Sequence, residues 1–319
     1  MEVIGGNDRG RPAAAELGGW IATILADFPG PRAAVVLGRT GRVARRLAGQ
    51  ERRVIALEVA RSHAWFERAT LGEGLSAIGE HVVLDWVRTR REPEVVGRFA
   101  AWARTAFTAE EAAWLGIWRA NILESGLPEA EAAIGVVAVM RTMAYWLAWN
   151  EISLGHKPLP PSTVFRHYLG ELKRTKGRHP AGEIRQIGLS SWPRLPACDL
   201  LYCYVPPREG MKAMDPRLSF WERWVLGDPE APLEFDVEGR LGGWFASETD
   251  RATALGALLE RMVDIPTWSL AYSGDGDALA VAVERLRPLS FRHEVAVPYP
   301  CGQESTIMKE GLMVARIAA

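Results

Sequence analysis

Cysteine is scarce in this chain. Cys198, Cys203 and Cys301 are the only three in 319 residues, with no C-x-x-C pair and no histidine at ligand spacing. That spacing excludes a disulfide-framed secreted module and a zinc-ribbon site, so no metal is expected. Lysine is also sparse, at five of the 38 basic residues, and the rest are arginine. The 38 basic residues meet 39 acidic ones for a net charge of -1, so no global basicity advertises nucleic acid and only local patches can. Long uninterrupted apolar runs are missing. The longest, Ala132 to Trp149, carries Arg141 and repeats with helical period, which reads as a core helix rather than a membrane span. Met1 to Pro12 is polar and Gly-rich, without the apolar centre of a signal peptide, so a cytoplasmic location is expected. No Gly-x-Ser-x-Gly nucleophile elbow, internal repeat or low-complexity tail occurs.

What the chain does contain is an alternation of short apolar runs and helical segments. Residues 13–27 read as a helix with Leu17, Trp20, Ile21, Ile24 and Leu25 on one face, ended by Pro29-Gly30-Pro31. A strand follows over 32–37, then Gly38-Arg39-Thr40-Gly41, a helix to about residue 50, and a second strand closing on Glu58. Residues 62–71 are helical. Further strands are predicted at 198–205, 267–273, 291–297 and 312–317, and further helices at 215–226, 249–263 and 278–286. Strands alternating with helices imply an α/β fold with a mainly parallel sheet, in which the last pair of strands can run antiparallel.

Residues 80–180 differ in character. Trp86, Trp102, Trp114, Trp118, Trp146 and Trp149 sit among alanines, and two helices are predicted near 108–124 and 129–152, separated by Ser125-Gly126-Leu127-Pro128. The aromatic stripe reads as core packing. Behind it, Arg166, His167, Lys173, Arg174, Lys176, Arg178 and His179 face a single acid, Glu171, a density able to neutralise several phosphates.

One stretch draws these parts together. Asp199-Leu200-Leu201-Tyr202-Cys203-Tyr204-Val205-Pro206-Pro207-Arg208 is an apolar strand that empties into two prolines. It resembles the strand ending in Asp-Pro-Pro-Tyr of Dam-like adenine-specific DNA methyltransferases. Val35 to Ala44 resembles that family's Asp-Leu-Phe-Ala-Gly-Thr-Gly-Ser-Val-Ala loop, which holds S-adenosylmethionine. Val54 to Glu58 resembles the strand whose acidic end holds the ribose, and Leu270 to Gly276 the Leu-Ser-Tyr-Ser-x-x-Gly segment. Ala15 to Ile21, Phe245-Ala246-Ser247 and Val295 to Tyr299 fall where family members carry similar residues. The resemblance implies a Rossmann-like methyltransferase sheet with helices on both faces. It divides the chain into 1–85 and 186–319 as the halves of the α/β domain, with 86–185 an inserted helical target-recognition subdomain.

By the same resemblance Gly38, Arg39, Thr40, Gly41 and Glu58 are the cofactor-binding positions, and Val205, Pro206, Pro207 and Arg208 the catalytic ones. Arg166, Lys173, Arg174, Lys176 and Arg178 are those for nucleic acid. The departures fall on the chemistry. Val205 replaces the acid that accepts from the adenine amine, Arg208 replaces the stacking Tyr, Val35 replaces the acid of the cofactor loop, and Arg39 replaces its first glycine. A lost charge-assisted hydrogen bond costs about 1.5–3 kcal/mol, one to two decades of rate. These changes point to a non-catalytic DNA-binding or structural subunit, with a partner protein and without S-adenosylmethionine. Two alternatives stand beside it. One is an active adenine DNA methyltransferase in which Pro206 with Tyr204 or Asp199 replaces the missing groups. The other is a methyltransferase acting on RNA, protein or a small molecule.

Overall fold

The computed structural model describes Ile21, Ile24 and Leu25, then residues 30–38, 41–71, 78–103, 105–150, 159–174, 182–187, 195, 197–205, 217–233, 256, 258–274, 276–301 and 304–317. Seven strands form one sheet: β1 (Arg32–Val36), β2 (Arg53–Glu58), β3 (Glu183–Gln186), β4 (Leu200–Val205), β5 (Thr267–Ser273), β6 (Leu289–Cys301) and β7 (Glu304–Arg316). Their order is β3-β2-β1-β4-β5-β7-β6. The first five are parallel, and β7 runs antiparallel to both β5 and β6. This is a Rossmann-like α/β sheet, as the sequence implies, and the closing hairpin is antiparallel. β1, β4 and β5 are buried at consecutive positions, which requires cover on both faces and explains their unbroken apolar runs.

The helices are α1 (Arg42–Ala48), α2 (Arg61–Leu71), α3 (Glu80–Trp86), α4 (Pro93–Val96), α5 (Ala109–Ile122), α6 (Glu129–Asn150), α7 (Pro161–Arg174), α8 (Leu218–Leu226) and α9 (Asp277–Glu284). The start of α5 is set by a capping box. The Glu111 amide donates to Thr108 Oγ1 at 3.3 Å, and the Thr108 amide donates to Glu111 Oε2 at 2.8 Å. Gly126, at φ 75°, and Pro128 then separate α5 from α6.

α6 is long and apolar enough to cross a membrane, yet 72% of its apolar window is buried inside the protein. It is the central helix of an aromatic core. Trp118 stacks on Trp146 at 5.5 Å and on Phe165 of α7 at 5.0 Å, and Phe107 meets both Trp146 and Phe220 of α8 edge-on. The tryptophan stripe is therefore packing, as its period implies. α8 is tied to this core, because Trp221 and Trp224 donate their indole N–H groups to the carbonyls of Met140 on α6 and Leu115 on α5.

Several expectations shift in detail. β3 is short, polar and half-buried, and no apolar run announces it. α3 and α4 precede the two helices read from sequence, and α7 begins at Pro161, ahead of the basic segment. The closing strands are longer than the predicted 291–297 and 312–317. The hairpin continues past β5, since Glu304 to Lys309 pair only with β6. Pro298 and Pro300 hid this extent, but β6 is an edge strand, where proline is tolerated. Most of the helices predicted over 13–27 and 249–263 lies outside the described residues.

Candidate functional site

In an open parallel sheet the ligand crevice lies at the carboxyl ends of the strands, where the order reverses. Here that point falls between β1 and β4, which pair in parallel through Val36 and Cys203. β2 lies on the other side of β1, so Gly38, Glu58 and Val205 come together at one edge of the sheet.

Gly38 has a specific role there. A Cβ on it would sit 2.6 Å from Glu67 Oε1, 2.6 Å from Val35 Cγ1 and 3.3 Å from Glu58 Oε1. Two carboxylates therefore converge on a backbone position that only glycine leaves open. Glu58 and Glu67 are wholly buried, and Glu58 Oε2 lies 3.7 Å from Nδ1 of buried His63. Among the described residues neither oxygen of Glu67 has a hydrogen-bond partner, and burial pushes its carboxyl up to about 8. At neutral pH Glu67 is thus a protonated acid held beneath the loop. Cys203, beside Glu58 on β4, has its thiol pushed up to about 12, first by burial and then by the Glu58 charge, so it is no nucleophile.

α2 supplies His63 and Glu67, and its position is held by a third buried acid. Glu222 of α8 accepts from the amide of Arg61 at 3.1 Å and from the amide of Ser62. These are N-terminal amides of the helix, which have no partner within it. Burial raises the Glu222 carboxyl even against these bonds.

The positions drawn from the resemblance divide into three groups. Gly38, Gly41 and Glu58 lie at the crevice. Gly41, at φ 71°, is the residue from which α1 starts. Val205 ends β4 with its side chain buried in the core. Arg39, Thr40, Pro206, Pro207 and Arg208 lie outside the described residues, as do Lys176 and Arg178.

Asp199 requires a correction as a possible substitute for the missing acid. It sits at the opposite end of β4, where Oδ2 accepts from the Arg32 amide at 2.9 Å. Its Cβ would be 2.3 Å from a Cβ on Gly30, whose φ is 113°. Six residues of strand, about 20 Å, separate it from the crevice, so it staples β1 to β4 and takes no part in a site at Val205. Arg166 and Lys173 are exposed on α7, and Lys173 Nζ donates to the Ile78 carbonyl at 3.2 Å. Arg174 is the last residue of that helix.

Tyr272, from the Leu270–Gly276 segment, is buried with its ring against Gly276 and Gly311. A Cβ on either glycine would fall within 2.5 Å of the ring. Its hydroxyl donates to Glu294 Oε1 at 2.8 Å, and Arg292 joins Glu294 to Asp277 at 2.8 and 2.6 Å. This network closes the β5–β7 side of the edge. Among the described residues no group of three or more His, Cys, Asp or Glu side chains is arranged to hold a metal.

Sequence reasoning missed Glu67, although a signal was present. Ala60, Ala64, Glu67 and Leu71 stand at i, i+4, i+7 and i+11, so an acid occupies one position of the apolar stripe. It also passed over α1, where Arg42, Arg45 and Arg46 are exposed at i, i+3 and i+4.

No protein-family model and no curated protein matches the chain. Solved structures similar to it include a candidate RNA methyltransferase from Pyrococcus horikoshii, with a TM-score of 0.35, 8% identity, and coverage of 95% of this chain and 83% of that one. Another is the rRNA methyltransferase aviRa from Streptomyces viridochromogenes, with a TM-score of 0.34, 12% identity, and coverage of 94% and 83%. The fold assignment rests on strand order and register. It is a Rossmann-like sheet. The substrates of these neighbours do not transfer to this chain.

S-adenosylmethionine, the cofactor that the resemblance implies, fits the described residues poorly. The one carboxylate placed for a ribose, Glu58, is buried against His63, and the space under Gly38 is taken by the Glu67 carboxyl. Val35, at the position of the loop's acid, is buried and offers no acceptor.

Proposed function

We propose that this chain is a non-catalytic protein of methyltransferase fold that binds nucleic acid, DNA in the first instance. It serves as a binding or structural subunit beside a protein partner rather than transferring a methyl group. The observation that carries this reading is Val205, a buried apolar side chain at the carboxyl end of the central strand β4. Methyl transfer to an amine nitrogen there needs an acceptor for the amine's proton, and valine offers none. The basic face of α7 supports the nucleic-acid part.

A second reading, an active S-adenosylmethionine-dependent methyltransferase on DNA, RNA or another substrate, is favoured by Glu58, an acid kept at the end of β2 beside Gly38. Incubation with isotopically methyl-labelled S-adenosylmethionine and mixed-sequence DNA or RNA separates the two. The expected result is no label in either polymer above the no-protein background. Label that appears in one polymer and scales with protein concentration establishes the second reading.

A further inference from the structure

The charged surface of this protein is not confined to the helix that its sequence singles out. α1 packs on α2, α2 on α6, and α6 on α7, so the arginines of α1 and the basic face of α7 flank one run of helices. Arg45 and Arg46 are exposed on α1, and no ion pair engages either among the described residues. Arg141 of α6 lies between the two ends, close enough to Arg42 and Arg45 to feel their charge. Glu171 is the one acid within α7, and its charge is already committed. Arg141 Nη1 donates to one of its oxygens at 3.4 Å, and His167 Nε2 lies 3.4 Å from the other. Among the described residues no ion pair engages Arg45, Arg46 or Arg166.

We propose that the face running from α1 across Arg141 to α7 is a track for the phosphodiester backbone of a nucleic acid, which it carries past Gly41 and the mouth of the crevice. The inference rests on the nucleic-acid reading above and adds a second, independent contact region to it. Two features favour phosphates over an acidic protein surface. The cations at the α1 end are arginines, whose planar forks match phosphate oxygens in pairs. Among the described residues none of the large exposed apolar side chains (Leu84, Val263, Val281, Phe291 and Ile317) belongs to α1, α6 or α7, whereas protein interfaces are anchored by apolar and aromatic hot spots.

The test is fluorescence anisotropy with a labelled mixed-sequence DNA duplex and an RNA strand of the same sequence, titrated between 50 and 200 mM salt. Three double variants of the full chain are compared with the wild type: Arg45→Gln/Arg46→Gln, Arg166→Gln/Lys173→Gln, and Arg88→Gln/Arg91→Gln. The last removes two exposed arginines from the segment between α3 and α4, which belongs to none of α1, α6 and α7. All six positions are exposed, so each variant is expected to fold, which circular dichroism checks. The α1 variant is expected to bind about tenfold more weakly at the lower salt, with its log K against log salt slope reduced by about 1–2. The α7 variant should lose a similar amount, and the Arg88/Arg91 variant at most a small fraction of it. An equal loss in the Arg88/Arg91 variant would show that net charge alone acts, and would overturn the track. Loss in the α7 variant with an unchanged α1 variant would overturn it too, while leaving the nucleic-acid reading intact. Absence of wild-type binding to both polymers at 50 mM salt would remove that reading and the track together.

Discussion

Glu67→Gln is expected to leave stability near pH 5 almost unchanged and to raise it by about 2–4 kcal/mol at pH 8. The sign follows from the direction of the shift. Burial raises the Glu67 carboxyl from 4.5 to about 8. Between those values the unfolded chain has released a proton that the folded chain keeps, so the wild type loses stability as pH rises through this window. Above about pH 8 the loss is complete, and below the unfolded value it is absent. Glutamine has nearly the same shape, carries no charge in either state and removes this slope. The difference between the two proteins reads Glu67 together with the neighbouring buried carboxyl of Glu58, while titrations elsewhere cancel. Denaturant unfolding at pH 5, 6.5 and 8 reads it directly. Parallel pH curves for the two proteins would show that Glu67 is ionised in the fold, and that water or a charge partner reaches it.

Trp118→Ala should cost about 3–5 kcal/mol, the range for deleting a large buried aromatic. Trp118 contacts Trp114, Trp146 and Phe165, drawn from α5, α6 and α7, so its removal opens a cavity where three helices meet. Trp114→Ala, at a half-buried neighbour one turn earlier on α5, should cost distinctly less. Chemical denaturation of both variants checks the ranking, and equal losses would mean that the stripe does not converge on Trp118. A second consequence separates packing from binding. Neither side chain lies on the charged track, so a Trp118→Ala protein held below its unfolding transition should keep the wild-type salt slope for nucleic acid.

The legibility of this fold in its sequence follows burial. β1, β2, β4 and β5 are covered on both faces, so each appears as a compact apolar run. The turns between them carry glycine and proline where the chain reverses. β3 pairs only with β2 at the sheet's edge, needs no apolar pattern, and Glu183-Ile184-Arg185-Gln186 shows none. The long closing hairpin was underestimated because prolines in β6 look like strand breakers until the strand is known to be an edge.

The site was legible in part and for different reasons. Gly38 and Glu58 were found through the resemblance, and they sit in a recurring unit of a strand, a glycine turn, a helix and a second strand ending in an acid. Asp199 misled, because residues six apart on a strand look adjacent in sequence but lie at opposite edges of the sheet. Glu67 was hidden by its type. An acid on a helix reads as solvated, and only three-dimensional packing reveals that this one replaces a core residue. That packing sets the Val35 side chain and the Glu67 carboxyl together against Gly38. Arg45 and Arg46 were missed for a simpler reason. Two adjacent arginines in a seven-residue helix carry little weight until the structure sets Arg42 and Arg45 of that helix near Arg141.

The central claim of the proposed function is that the crevice receives no methyl donor. Isothermal titration of S-adenosylmethionine into the full-length protein at pH 7 tests it most directly. The account predicts no binding heat beyond dilution at concentrations up to the millimolar range. A saturable isotherm with a micromolar Kd, lost on Glu58→Ala substitution, would contradict it.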